Sequence, residues 1–284
     1  MSRPVPNSSG TAGPRLVAPA DACDCHMHIY DGGRFPPQRP GSRMTPDAGV
    51  DDYRLFQARI GTGRVVVVTP AAYGTDNAVT VDALAQFGRS ARGVAVAHPG
   101  VSDAELTAMD QAGVRGLRFT QFDPRTATTT IDMIEPLAQR IEPMGWHVQI
   151  HMRADQIAEA GALLSRLPCP IVFDHLGRLP AAQPSAHPAF AVIRRLLDNG
   201  RAWVKLSGAY MAATPPHYRE ACNIAQAFIA AAPERVVWGS DWPHPTEADK
   251  PDDAALFDLL SDWAPEPDAR QRILVDNPAM LYGF

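Results

Sequence analysis

Short apolar runs return along this chain at near-regular intervals, and that rhythm constrains its fold more than any other feature. They lie at Val65–Thr69, Gly93–Ala97, Gly116–Thr120, His147–His151, Ile171–His175, Trp203–Ser207 and Val236–Ser240. They are rich in Val, Ile, Trp or Phe, and several lack strict polar alternation, as expected of parallel strands buried on both faces. Ala22–Ile29 is a weaker strand that brings the count to eight. Helical patterns fill the intervals. Ser102 and Glu105 have the spacing of a capping box ahead of Leu106 and Met109, with Gly113 as the stop. Ile157, Ala160, Leu164 and Leu167 keep one apolar face up to Pro168. Phe190, Ile193, Leu196 and Leu197 do the same up to Asn199-Gly200. Tyr218, Cys222, Ala225 and Phe228 mark another helix, and Leu256, Leu259 and Leu260 a later one. Pro136 fits only the first turn of the helix leading to Gly145. Strands alternating with helices imply parallel β/α units. Eight units suggest closure into a single TIM-type (β/α)8 barrel, although periodicity alone also permits an open, doubly wound sheet.

The 284 residues, 45% of them hydrophobic, are ample for one large core. They sit near the ~250 residues typical of an α/β barrel. Residues 1–20 mix Pro, Gly, Ser and Asn with few large apolar groups, so an irregular or disordered arm is expected there, with the barrel spanning 21–284. The net charge of −5, with no run of Lys or Arg, argues against nucleic-acid binding. Cys23, Cys25, Cys169 and Cys222 form no CxxC pair and no disulfide framework. No stretch approaches the ~18 apolar residues of a membrane span, and the N-terminus lacks the apolar core of a secretory signal. The expectation is a cytoplasmic, reduced, soluble protein acting on a small molecule, with its oligomeric state left open.

Reactive groups in barrel enzymes collect at the C-terminal ends of the strands. The first strand supplies His26 and His28, which at i and i+2 face the same way and can converge on one point. The fourth run carries Arg118, His151 ends the fifth and Asp174-His175 the sixth, and Asp241 directly follows the eighth. His26, His28, His151 and Asp241 make a chemically sound set for one divalent metal, zinc or manganese, with an open position for water. Metal-free operation through the histidines is the alternative. Asp241, His175, His26 and His28 are the candidate catalytic groups. Each has a plainer explanation: an isolated HxH is often just polar, and Asp174 or Asp241 could be a helix cap. Their coincidence at one end of several β/α units favours a reactive cluster.

Arg118, Arg125 and Arg178 are candidates to clamp a substrate carboxylate, unless they pair with acids of the rim such as Asp123 or Asp174. Tyr73, in the polar loop Tyr73–Asn77, and Ser207, after the seventh strand, could also line a pocket. Cys25 alternates away from His26 and His28, which makes it a buried structural thiol rather than a ligand.

A family resemblance rests on Asp24-Cys25-His26-Met27-His28, Gly116-Leu117-Arg118-Phe119 and Phe173-Asp174-His175-Leu176-Gly177-Arg178. Val204-Lys205-Leu206-Ser207-Gly208, the segment from Trp238 to His244 and Asp276-Asn277-Pro278 add to it. From about Asp21 to Phe284 these resemble the lactonases of the amidohydrolase superfamily, the group around 2-pyrone-4,6-dicarboxylate lactonase. The resemblance implies a (β/α)8 barrel that opens a lactone ring, with Asp241 as general base on the attacking water. It also implies that His26, His28 and His175 polarise the carbonyl, with or without metal, and that Arg118, Arg178 and Arg125 hold carboxylates. The chain departs from the pyrone-dicarboxylate pattern at His151, where tyrosine is expected, at Met44 in place of a substrate-binding tyrosine, and at Met211 in place of an arginine. These departures argue against the identical dicarboxylate, and His151 restores the ligand set of metal-dependent relatives. Metal-dependent non-oxidative decarboxylation and lactone isomerisation are the competing chemistries; lactone isomerases of the group carry asparagine at the position of Asp241.

Overall fold

The computed structural model describes residues 4–38, 41–213 and 218–284. Its strands are β1 (Cys23–Met27), β2 (Arg64–Val68), β3 (Ala91–Ala95), β4 (Val114–Thr120), β5 (His147–His151), β6 (Ile171–Phe173), β7 (Ala202–Leu206) and β8 (Val236–Trp238). Each pairs in parallel with the next in sequence order. A doubly wound sheet would reverse its order at a switch point, and this one does not. Its first and last strands meet instead. Asp241 N donates to His26 O and His28 N to Trp242 O, both at 2.8 Å, just beyond the ends of β8 and β1.

The helices outside the barrel include α1 (Val50–Ile60), α2 (Ala78–Phe87), α3 (Asp103–Ala112), α4 (Ile134–Ile141), α5 (Ala154–Glu159), α6 (Gly161–Arg166), α7 (Pro188–Asp198), α8 (Arg219–Ala231) and α9 (Asp253–Asp258). α3 begins at its capping box, where Glu105 N donates to Ser102 Oγ at 3.2 Å and Ser102 N to Glu105 Oε2 at 2.8 Å. The single helix expected across Ile157–Leu167 is two, divided at Ala160. At the break Gly161 approaches α7 so closely that a Cβ there would lie 3.0 Å from Val192 Cγ2.

Apolar residues fill both sides of the sheet. Val66, Val68, Val94, Val172, Trp203 and Val237 pack inside the barrel with Cys23 and Cys25, and Tyr282 joins the same cluster. Val65, Val67 and Met27 belong to the larger layer between sheet and helices. Cys25 is thus a buried thiol, but it does not alternate away from the histidines as simple strand geometry would have it. The register of β1 against β2 shifts between Asp24 and Met27, and such an irregularity re-aims side chains beside a site.

The arm over residues 4–20 contains no helix or strand, yet its polar groups find partners on the barrel. Trp242 Nε1 donates to Pro6 O at 2.9 Å, and Asn7 Nδ2 to the carbonyls of Pro46 and Asp47 at 3.0 and 2.8 Å. Among the described residues no helix is long and apolar enough to cross a membrane.

Candidate active site

The strand ends carry the chemistry where the chain leaves the ladder. β6 stops at Phe173 and β8 at Trp238, short of the expected runs. His175 and Asp241 then adopt φ of 49° and 64°. Non-glycine residues pay on the order of 1 kcal/mol or more for that region, a strain tolerated where it aims a functional side chain. The seam between β8 and β1 fixes the aim. Asp24, fully buried, accepts from Ser240 N at 2.9 Å, Ser240 Oγ at 2.5 Å, His26 N at 3.1 Å and Tyr53 Oη of α1 at 3.0 Å.

Three predicted catalytic histidines converge on one oxygen of the fourth group, Asp241. Asp241 Oδ1 lies 3.4 Å from His26 Nε2, 3.5 Å from His28 Nε2 and 3.8 Å from His175 Nε2. The two Nε2 atoms of His26 and His28 are 3.3 Å apart. His28 Nδ1 is 2.8 Å from the carbonyl of Val68, which can only accept, so Nδ1 carries the proton and Nε2 presents a bare lone pair. His175 Nδ1 is tied to Ser207 Oγ at 3.0 Å. Burial pulls His26 well below the ordinary imidazole range and His175 down to about 4, so both are neutral at pH 7. Burial alone would push Asp241 up, but the polar contacts around it prevail and hold it well below the usual carboxylate range.

Beneath this cluster lies a buried polar layer in which the sequence did not single out Gln149 and Lys205, while the pairing of Arg118 with Asp174 is the alternative it offered. Asp174 Oδ2 accepts from Arg118 Nε at 2.9 Å and Gln149 Nε2 at 3.1 Å. Lys205 Nζ donates to Gln149 Oε1 at 2.7 Å. His26 Nδ1 sits between Asp174 Oδ1 at 3.2 Å and Lys205 Nζ at 3.3 Å. Burial lowers Lys205 to about 8, against the pull of Asp174. Burial would raise Asp174, but His26, Arg118 and Lys205 hold it ionised.

Above the cluster a cavity of about 520 Å³ is walled by His28, His151, His175 and Asp241, and by Arg118, Tyr30, Arg43 and Met211. Arg118 commits its Nε to Asp174 and lends the rest of its guanidinium to the wall. Arg178 lines a neighbouring lobe with His175, its guanidinium 4.4 Å over the Phe122 ring. Tyr73 is elsewhere: its hydroxyl accepts from Asp31 N at 3.0 Å, behind Tyr30, and the tyrosine facing the cavity is Tyr30. Arg125 is exposed and folded back on Asp123 at 2.9 Å, outside the cavity wall. Tyr30 and Arg43 escaped notice because neither belongs to a strand-end motif.

Three of the four expected metal ligands come together. His26, His28 and Asp241 can offer their ligand atoms to one ion. Zinc–nitrogen bonds of about 2.0–2.1 Å in a tetrahedron place neighbouring ligands roughly 3.3 Å apart, and the measured separations are 3.3, 3.4 and 3.5 Å. The donor set therefore fits a divalent ion when the His26 proton resides on Nδ1 toward Asp174. His151 does not join it. It ends β5, across the barrel from β1 and β8, where its ring stacks on Phe122 at 5.4 Å and meets His175 edge-on at 5.1 Å. Neither of its ring nitrogens has a hydrogen-bond partner among the described residues.

The amidohydrolase family model matches residues 23–284. The chain belongs to the amidohydrolase family. This amidohydrolase is 35% identical to the 2-pyrone-4,6-dicarboxylate hydrolase of Comamonas testosteroni, over 95% of this chain and 92% of that protein. It is 33% identical to the 4-sulfomuconolactone hydrolase of Rhizobium radiobacter, over 94% and 92%. The apo crystal structure of an Agrobacterium tumefaciens protein, 27% identical, superposes with a TM-score of 0.89 over 98% of both chains.

Proposed function

We propose that this amidohydrolase hydrolyses the ring ester of a small lactone bearing a carboxylate, with Asp241 as general base. The observation that carries this reading is the meeting of His26, His28 and His175 on Asp241 Oδ1, at the floor of a cavity with the Arg118 guanidinium in its wall. The names of two relatives, both lactone hydrolases, support it. Arg118 holds the substrate carboxylate, with Arg178 at the adjoining lobe and Tyr30 and Arg43 on the wall. Asp241, ionised at neutral pH, removes a proton from the attacking water and returns it to the ring oxygen as the acyl–oxygen bond breaks. His175, neutral and braced by Ser207, faces the same point and steadies the charge that develops on the carbonyl oxygen. His26, His28 and Asp241 would hold one zinc or manganese ion, which would supply Lewis-acid polarisation of the carbonyl and acidify water when bound. His151, whose ring nitrogens have no hydrogen-bond partner among the described residues, serves as a substrate contact in the wall. The four free cysteines suit a reducing cytoplasm.

A panel of lactones, each as free acid and as methyl ester, tests the proposal. Ring opening with gain of one water, and preference for the acid, is expected. Release of carbon dioxide, or a product of unchanged mass, would replace hydrolysis by decarboxylation or isomerisation.

A further inference from the structure

The second oxygen of Asp241 is held by a row of side chains to which no role has yet been given. Tyr210, from the turn after β7, places its hydroxyl 2.5 Å from Asp241 Oδ2. His244 Nδ1 is 3.1 Å from that hydroxyl, and His244 Nε2 is 3.0 Å from Oδ1 of Asp253 in the first turn of α9. Asp241, His244 and Asp253 are each no more than 2% exposed. We infer that Tyr210, His244 and Asp253 are positioning residues, a hydrogen-bonded strut that sets the rotation of the Asp241 carboxylate. The inference rests on Asp241 being the general base.

The proton count supports this direction. A phenol has one proton, and the ionised carboxylate is its strongest acceptor. The phenol oxygen then faces His244 Nδ1, and His244 Nε2 faces Asp253 Oδ1. Rotation about the last torsion of aspartate is broad, so a hydrogen bond to one oxygen fixes the plane of the carboxylate and with it how the other oxygen meets the histidines. With Oδ2 engaged by Tyr210, Oδ1 is the oxygen left at 3.4, 3.5 and 3.8 Å from His26, His28 and His175. The strut is itself anchored. His244 N donates to Asp241 O at 2.8 Å, Lys250 Nζ to His244 O at 2.7 Å, and Asp253 N to Ser8 Oγ of the N-terminal arm at 3.4 Å. A row that served only to hold the β8–α9 segment in place would have no need to end on the reacting carboxylate.

The test is Tyr210→Phe in the full chain, assayed on a lactone that the wild type opens. Freeing the carboxylate should lower kcat about tenfold to a hundredfold, as expected of a reacting group turned out of line. KM and melting temperature should stay near wild type, and a crystal structure should show the Asp241 carboxylate rotated. Unchanged kcat with an unmoved carboxylate would overturn the inference, as would a loss confined to melting temperature. His244→Gln adds a second arm: as parts of one unit, the double variant should be no slower than the slower single, and multiplicative losses would refute the strut. Should that buried substitution fail to fold, Tyr210→Phe decides alone. A wild type that opens no lactone defeats the functional reading, while the rotation of Asp241 in the Tyr210→Phe crystal still tests the strut.

Discussion

Gly239 lies in the short stretch between β8 and Asp241, and adding a single methyl group there should dismantle the site from behind. A Cβ at position 239 would stand 2.7 Å from His26 Cβ, 2.9 Å from His26 N and 3.3 Å from His26 Cα. Non-bonded carbons settle at about 3.5–4.0 Å, so β1 and β8 would have to part by roughly 1 Å. His26 has no room to yield. Its N–H is bound to Asp24 Oδ1 at 3.1 Å, its carbonyl accepts from Asp241 N at 2.8 Å, and its ring is enclosed by Asp174, Lys205 and His28. The parting falls on the seam that brings His26 and His28 to within 3.4 and 3.5 Å of Asp241. A shift of about 1 Å in such a constellation costs about a hundredfold in turnover, and the overpacking itself about 1–3 kcal/mol. Gly239→Ala should therefore fold, unfold at lower urea concentration and turn over about a hundredfold more slowly. Steady-state kinetics with a urea denaturation curve measure both quantities. Wild-type turnover with an unchanged urea midpoint would refute the packing argument.

Asp241→Asn should lose about a hundredfold to ten-thousandfold in turnover, the range of a lost general base, while circular dichroism stays native. Chelation should remove about one zinc or manganese per chain together with activity, in line with a single site of this kind. Activity that persists in metal-free protein, measured by elemental analysis, would leave polarisation to the histidines alone. Burial holds His175 near 4 and His147 near 3, against about 6.5 in the unfolded chain. The unfolded state then binds more protons below pH 6.5, so this stability is present above 6.5 and lost as pH falls toward 4 and then 3. At about 1.4 kcal/mol per pH unit the loss is about 3 kcal/mol for His175 and more for His147. Urea midpoints measured from pH 8 down to pH 4 should fall, and a flat profile would contradict neutral burial of these rings.

Much of this molecule was determined by sequence alone. Parallel strands buried on both faces must read as short apolar runs, so β2 through β8 were visible to within a few residues. Two histidines two positions apart near a strand end must share a face, so the convergence of His26 and His28 was legible, and Asp241 followed from its place after the eighth strand. Tertiary structure decided what lies across the barrel from what. Sequence placed His151 at the correct end of β5, but only closure puts β5 opposite the seam of β1 and β8, which separates His151 from the ion-competent trio. The register shift in β1 turns both Cys25 and His26 inward, contrary to strict alternation. The exchange of Tyr73 for Tyr30, the layer of Gln149 and Lys205 beneath His26, and the row from Tyr210 to Asp253 were equally out of reach. Periodicity fixes the face and the end of an element that a residue occupies. The distances between elements are set by how the strands close and the loops pack, and contacts such as that between Tyr210 and Asp241 arise only there.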